Sequence, residues 1–138
     1  MRVNTNQVTA TIQTEATGGY VQAGTGAIWV TNPGTSGTSN GTLSRIDPTT
    51  NAVVATIGLG DMPLEIALSG ANVWVAMQGE ATVVRVSATS NLILGRIHVA
   101  DTVYAVAASD HAVWAVHSPG PANADTPPPS GSVTRINY

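Results

Sequence analysis

Apolar residues in this chain come in short bursts separated by runs of Gly, Ser, Thr, Asn and Pro, and no stretch sustains the 3.6-residue spacing of an amphipathic helix. Three bursts carry a tryptophan: Ala27-Ile28-Trp29-Val30, Asn72-Val73-Trp74-Val75 and Ala112-Val113-Trp114-Ala115. Their separations are 74 − 29 = 45 and 114 − 74 = 40 residues. Downstream of each lies a second recurring element with arginine at the same place: Thr42-Leu43-Ser44-Arg45-Ile46-Asp47, Thr82-Val83-Val84-Arg85-Val86-Ser87 and Ser132-Val133-Thr134-Arg135-Ile136-Asn137. Self-similarity of this kind marks a repeat architecture.

After the first two of these elements a polar turn, Asp47-Pro48-Thr49-Thr50-Asn51 or Ser87-Ala88-Thr89-Ser90-Asn91, leads into a further apolar strand. The third copy has no such continuation, but Asn4-Thr5-Asn6-Gln7-Val8-Thr9-Ala10-Thr11-Ile12 aligns with Thr49-Thr50-Asn51-Ala52-Val53-Val54-Ala55-Thr56-Ile57, so the N-terminus supplies the last strand of a unit. Each unit reads as four short strands; in the second these cover 64–68, 72–77, 82–86 and 92–99. Four-stranded units at this period are the blades of a β-propeller. The expected fold is therefore all-β, with three four-stranded antiparallel blades in one module, 1–138. A closing strand and linker occupy 3–17, a first blade 18–62, a second 63–102 and a third, lacking its fourth strand, 103–138. One blade cannot bury its own faces, so Trp29, Trp74 and Trp114 are expected to anchor packing between blades rather than to stack on a ligand.

At Arg45-Ile46-Asp47-Pro48-Thr49-Thr50-Asn51-Ala52-Val53-Val54-Ala55-Thr56-Ile57, followed by Gly58, Gly60 and Pro63 and then by Ile66-Ala67 and Val73-Trp74-Val75-Ala76, the chain resembles the YVTN-type repeat of bacterial β-propellers. Virginiamycin B lyase and many surface-layer-associated proteins are similar to this group. The resemblance runs over nearly the whole chain in three copies and implies a propeller used as a binding platform, a scaffold or, in some members, an enzyme. No residues here match the lyase's catalytic His and metal-binding Glu.

Closed propellers typically carry about 4 to 8 blades, so three leave two open blade faces and an unpaired strand edge. The expected resolution is a homodimer in which the N-terminal strand of one copy completes the third blade of the other, giving a six-bladed ring about a twofold axis. Tyr138 falls at the register of Pro48, and Val3 resumes at that same register. The other readings are a fragment or engineered half of a longer propeller, and the subunit of an open head-to-tail filament.

Composition narrows the partners. Charged residues make up 9% of the 138 and the formal net charge is −3, so no nucleic-acid groove is expected, and with no run of about 18 consecutive apolar residues no membrane-inserting segment is expected either. Cysteine is absent, which excludes disulfides, thiolate metal sites and a thiol nucleophile. The lack of lysine and the Thr, Ser, Gly and Asn content fit an extracellular or cell-surface bacterial parent protein as well as they fit the codon bias of a GC-rich genome. No signal-peptide core is seen at the N-terminus.

Binding is expected on the face that carries the loops from second to third strand and the connections between blades. Loops 31–41 and 118–131, the latter containing Pro119-Gly120-Pro121 and Pro127-Pro128-Pro129, are far longer than the turn at 78–81. Alignment makes Asn32, Met77 and His117 equivalent, likewise Asp61 with Asp101 and Tyr20 with Glu65. With Tyr104 these form the candidate set around a channel mouth, suited to a small polar ligand, a cation or a protein partner. Asp110-His111 reads as a solvated turn on the opposite face, and His98 as an exposed residue of an outer strand. Arg45, Arg85 and Arg135 read as blade-to-blade hydrogen-bonding residues with their stems on apolar neighbours. No cofactor is called for, and no Gly-x-Ser-x-Gly elbow, phosphate loop or His-Glu-x-x-His run appears. The expected role is a self-assembling binding or scaffold module without catalysis. The enzyme alternative is a metal-assisted lyase or hydrolase using His117 with Glu65, Asp61 or Asp101.

Overall fold

The computed structural model describes residues 6–15, 18–119 and 130–138. Each apolar burst is a strand: β1 (Val21–Gly24), β2 (Ala27–Asn32), β3 (Gly41–Asp47), β4 (Ala52–Gly60), β5 (Pro63–Ser69), β6 (Asn72–Met77), β7 (Thr82–Ser87), β8 (Ile93–His98), β9 (Thr102–Ala108), β10 (Ala112–Ser118) and β11 (Ser132–Asn137). They form three antiparallel sheets in which sequence neighbours pair: β1-β2-β3-β4, β5-β6-β7-β8 and β9-β10-β11. A single 3-10 turn, Gln78–Glu80, is the sole helical piece among the described residues. The fold is thus all-β and built of propeller blades. Residues 6–14 are irregular and join no sheet of this chain; the segments 1–5 and 120–129, including the triple proline, lie outside the described residues.

The repeat extends to backbone detail. In the turn between β3 and β4 the Asn51 amide donates to Asp47 O at 2.9 Å, and between β7 and β8 the Asn91 amide donates to Ser87 O at 3.0 Å. The side chains of Asp47 and Ser87 accept from the amides of Thr49 and Ser90 at 2.7 and 3.1 Å, closing the turns locally. Both turns end on an asparagine in the left-handed region, φ 56° at Asn51 and 60° at Asn91, a conformation this side chain tolerates better than most. A one-residue slip follows each turn, between Arg45 and Ile46 on β3 and between Arg85 and Val86 on β7.

Burial along the second strands follows from period-two geometry. Successive side chains point to opposite faces of a sheet, so a strand covered on one side alternates and a strand covered on both does not. β6, in the middle sheet, is buried without interruption from Val73 to Met77. β2 buries Trp29 and Thr31 while Ile28 and Val30 stay half-exposed; β10 buries Val113 and Ala115 while Trp114 and Val116 are exposed. The outer sheets therefore turn opposite faces to the middle one. Two cores result. Trp29, Leu43, Ile57 and Leu59 pack with Ile66, Val75, Met77 and Ala88 between the first and second sheets. Trp74, Ala76 and Val83 pack with Val103, Val106 and Val113 between the second and third, with Tyr138 closing the outer end.

Candidate functional site

In the first two sheets the loops from second to third strand meet at the connection between the sheets, and carboxylates fasten them there. Asn40 Oδ1 accepts from the Thr35 amide at 3.0 Å and the Thr38 hydroxyl at 2.6 Å, which folds the loop between β2 and β3 onto itself. The Gly37 amide at its tip donates to Asp61 Oδ1 at 2.9 Å. The Asp61 amide in turn donates to Glu80 Oε1 at 2.9 Å, and Glu80 Oε2 accepts from Arg96 Nη1 at 3.1 Å. Arg96 Nη2 reaches back to Leu59 O at 2.6 Å. Asp61 thus pins the long loop of the first sheet to the 3-10 turn of the second.

The equivalent carboxylate at the next seam, Asp101, has its Oδ2 3.5 Å from His117 Nδ1, a nitrogen that makes no hydrogen bond among the described residues. His117 Nε2 is 2.8 Å from Thr134 Oγ1. The imidazole thus lies between a hydroxyl of β11 and a carboxylate of the connection before β9. His117 is buried, and among the described residues no pocket forms beside it. The arrangement buttresses the connection against β10.

Asn32, Met77 and His117 hold the same register, opposite Thr42, Thr82 and Ser132 respectively, and all are buried. No hydrogen bond or ion pair links them among the described residues. Asn32 Nδ2 donates to Thr42 Oγ1 and Ser44 Oγ, each at 3.0 Å, and its Oδ1 has no partner. Met77 belongs to the first core. The neighbour two residues along the facing strand matches each in kind: Asn32 with Ser44, Met77 with Val84, His117 with Thr134. Thr134 escaped the sequence reading, and the signal that could have found it is this paired change of polarity.

Glu65 Oε2 accepts from the Val106 amide at 3.0 Å and joins the first strands of two sheets. Tyr20, immediately before β1, and Tyr104, in β9, are exposed. Among the described residues no three or more His, Asp or Glu side chains gather to hold a metal ion.

The arginines act differently from one another. Arg45, Arg85 and Arg135 each lie opposite the tryptophan of their own sheet, with the guanidinium carbon 5.6, 5.4 and 5.3 Å from the ring of Trp29, Trp74 and Trp114. Arg45 Nη1 also crosses to Asn91 Oδ1 of the second sheet at 3.0 Å. Arg85 Nε binds Asn72 Oδ1 within its own sheet at 2.8 Å, and its guanidinium is sandwiched by Tyr138 at 5.1 Å. The acceptors are amide oxygens rather than backbone carbonyls or acids, and the cation–π stack on the tryptophan was not foreseen from sequence.

No protein-family model and no curated protein matches this chain. Solved structures do. One is hydrazine synthase from Kuenenia stuttgartiensis, 16% identical with a TM-score of 0.60, covering 67% of this chain and 26% of that one. Another is the β-propeller domain of Cps50 (Swd1) from Myceliophteria thermophila, 15% identical with a TM-score of 0.65, covering 91% of this chain and 41% of that one. The chain therefore spans less than half the length of either neighbour, and at these identities the likeness concerns the fold.

Proposed function

We propose that this chain is a half-propeller of the YVTN type that closes with a second copy of itself into a six-bladed ring, and that the ring serves as a binding or scaffold module through its loop-bearing face. The observation that carries this reading is unequal burial at equivalent positions. Trp29 is 0% exposed and Trp74 1%, each covered by the next sheet, whereas Trp114 is 40% exposed. Leu43 and Val83 are 0% exposed and their counterpart Val133 is 62%. On the other open face Val21 is 65% exposed, against 5% for Ile66 and 7% for Val106. The two open faces carry the two halves of the seam that repeats twice inside the chain, so one copy's third sheet is complementary to another's first.

The N-terminal run supports strand exchange as the seal. Asn6 has φ 48°, the left-handed conformation of Asn51 and Asn91 at the entry to β4 and β8. Transferring the register in which Ile46, Arg45, Ser44 and Leu43 face Val53, Ala55, Thr56 and Ile57 sets Ile136, Arg135, Thr134 and Val133 of one copy against Val8, Ala10, Thr11 and Ile12 of the other.

Because the chain has no cysteine, engineered thiols test this directly. Opposed residues in an antiparallel pair lie about 4.5–5.5 Å apart at Cα, within disulfide reach. Ile12→Cys with Val133→Cys is expected to oxidise to a covalent dimer, and Thr11→Cys with Val133→Cys, one residue out of register, is not. A product confined to single-chain mass from the first pair would contradict the proposal, and a ladder of rising mass would replace the ring by a filament.

A further inference from the structure

Inside the chain, several polar contacts cross the first seam, and the one at its turn end is made by an arginine: Arg45, stacked on Trp29, donates to Asn91 Oδ1 in the turn of the following sheet at 3.0 Å. Ala88, two places after Val86, is buried in the same core as that tryptophan, and at the second seam Tyr138, at the equivalent position, lies 4.7 Å from Trp74. Arg135 repeats the donor half of this contact. It lies over Trp114, is exposed, and among the described residues has no hydrogen-bond acceptor. Asn51 repeats the acceptor half: it ends the same kind of turn, in the same left-handed conformation, its side chain exposed and without a hydrogen-bond partner among the described residues. Asn6 is a third such residue, with φ 48°. Arg85 has its Nε engaged by Asn72, and among the described residues no hydrogen bond reaches its Nη atoms.

We infer that the ring, on the reading that two copies close it, is pinned by arginine–asparagine clasps between copies. Arg135 of one copy, stacked on its own Trp114, donates to Asn51 of the other, while Pro48 of that other copy takes, at the seam with Trp114, the position that Ala88 and Tyr138 hold at the seams with Trp29 and Trp74. The same logic sets Asn6, at the entry of the exchanged strand, under the Nη atoms of Arg85. The apolar faces supply the attraction, and the clasps select the partner: a guanidinium held flat on an aromatic ring meets an amide oxygen only when the incoming turn has the right register. A shift of one residue along the strand would leave the guanidinium facing backbone of the wrong face.

The experiment is sedimentation equilibrium on the full 138-residue chain over a dilution series. Arg135→Ala and Asn51→Ala are each expected to raise the dimer dissociation constant by on the order of a hundredfold to ten-thousandfold, since two clasps of this kind are lost per ring and each is a hydrogen bond to a charged group. The double variant is expected to be no weaker than either single one, the signature of a shared contact. Asn51→Asp is expected to tighten the dimer at low salt and to make it salt-sensitive. A dimer in all of these variants with the wild-type constant and salt slope would overturn the clasp while leaving the self-assembly reading intact. A wild-type chain that stays monomeric at every concentration would overturn both.

Discussion

Trp114→Ala and Trp74→Ala make a matched pair whose difference tests whether a second copy covers the third sheet. Trp74 is buried between the second and third sheets in every copy, and its truncation is expected to cost about 3–5 kcal/mol of folding stability, a large share of what a domain of this size holds. Trp114 is 40% exposed in one copy. A tryptophan presents up to about 250 Å², so roughly 100 Å² remains to be covered, worth about 2.5 kcal/mol at about 25 cal/mol per Å². A twofold ring contains two such seams, and the expected loss in association is about 5 kcal/mol, between a thousandfold and ten-thousandfold in the dissociation constant. Sedimentation equilibrium gives that constant, and urea unfolding at low and high protein concentration separates the folding of one copy from its association. Trp114→Ala should shift the unfolding midpoint much more at high concentration than at low, while Trp74→Ala shifts it at both. An unchanged dissociation constant for Trp114→Ala, with Trp74→Ala behaving as described, would refute the assignment of this face to a seam.

Gly41→Ala is expected to destabilise the chain by about 1–3 kcal/mol in urea unfolding, because a Cβ there would lie 2.6 Å from Gly60 O and against the Pro63 ring, where the connection to the second sheet passes. His117→Ala should cost about 2–4 kcal/mol by the same assay, as it opens a cavity and removes the partner of Thr134. Its effect should exceed that of His98→Ala, an exposed position expected to fall within about 0.5 kcal/mol of wild type. Deleting 1–12 is expected to abolish the dimer and leave the open edge of β11 to aggregate, read by light scattering; a well-behaved truncated dimer would contradict strand exchange.

Most of the architecture was legible in the sequence because two independent periods agree. Strand-length apolar bursts bounded by Asp-Pro, Ser-Gly and Asn turns define the strands, and the recurrence of tryptophan and arginine defines the units. The second unit, expected at 64–68, 72–77, 82–86 and 92–99, forms as Pro63–Ser69, Asn72–Met77, Thr82–Ser87 and Ile93–His98. Which face of each strand meets which neighbour was not legible, since a blade in a ring is apolar on both sides: Val73, Trp74, Val75 and Ala76 carry no mark of direction. The candidate site was legible only as a set of equivalent positions. Asp61 and Asp101 do occupy matching connections, but their partners, the Gly37 amide and His117, come from loop geometry and from a histidine in only one of three copies. The role of Arg45 depends on an amide oxygen 46 residues away, and no local pattern announces it.

If the faces bearing Trp114 and Val21 are two halves of one seam joined between copies, native mass spectrometry of the 138-residue chain should give a discrete species at twice the 14.0 kDa of a single copy, about 28 kDa. A lone 14.0 kDa species persisting at all concentrations would contradict it.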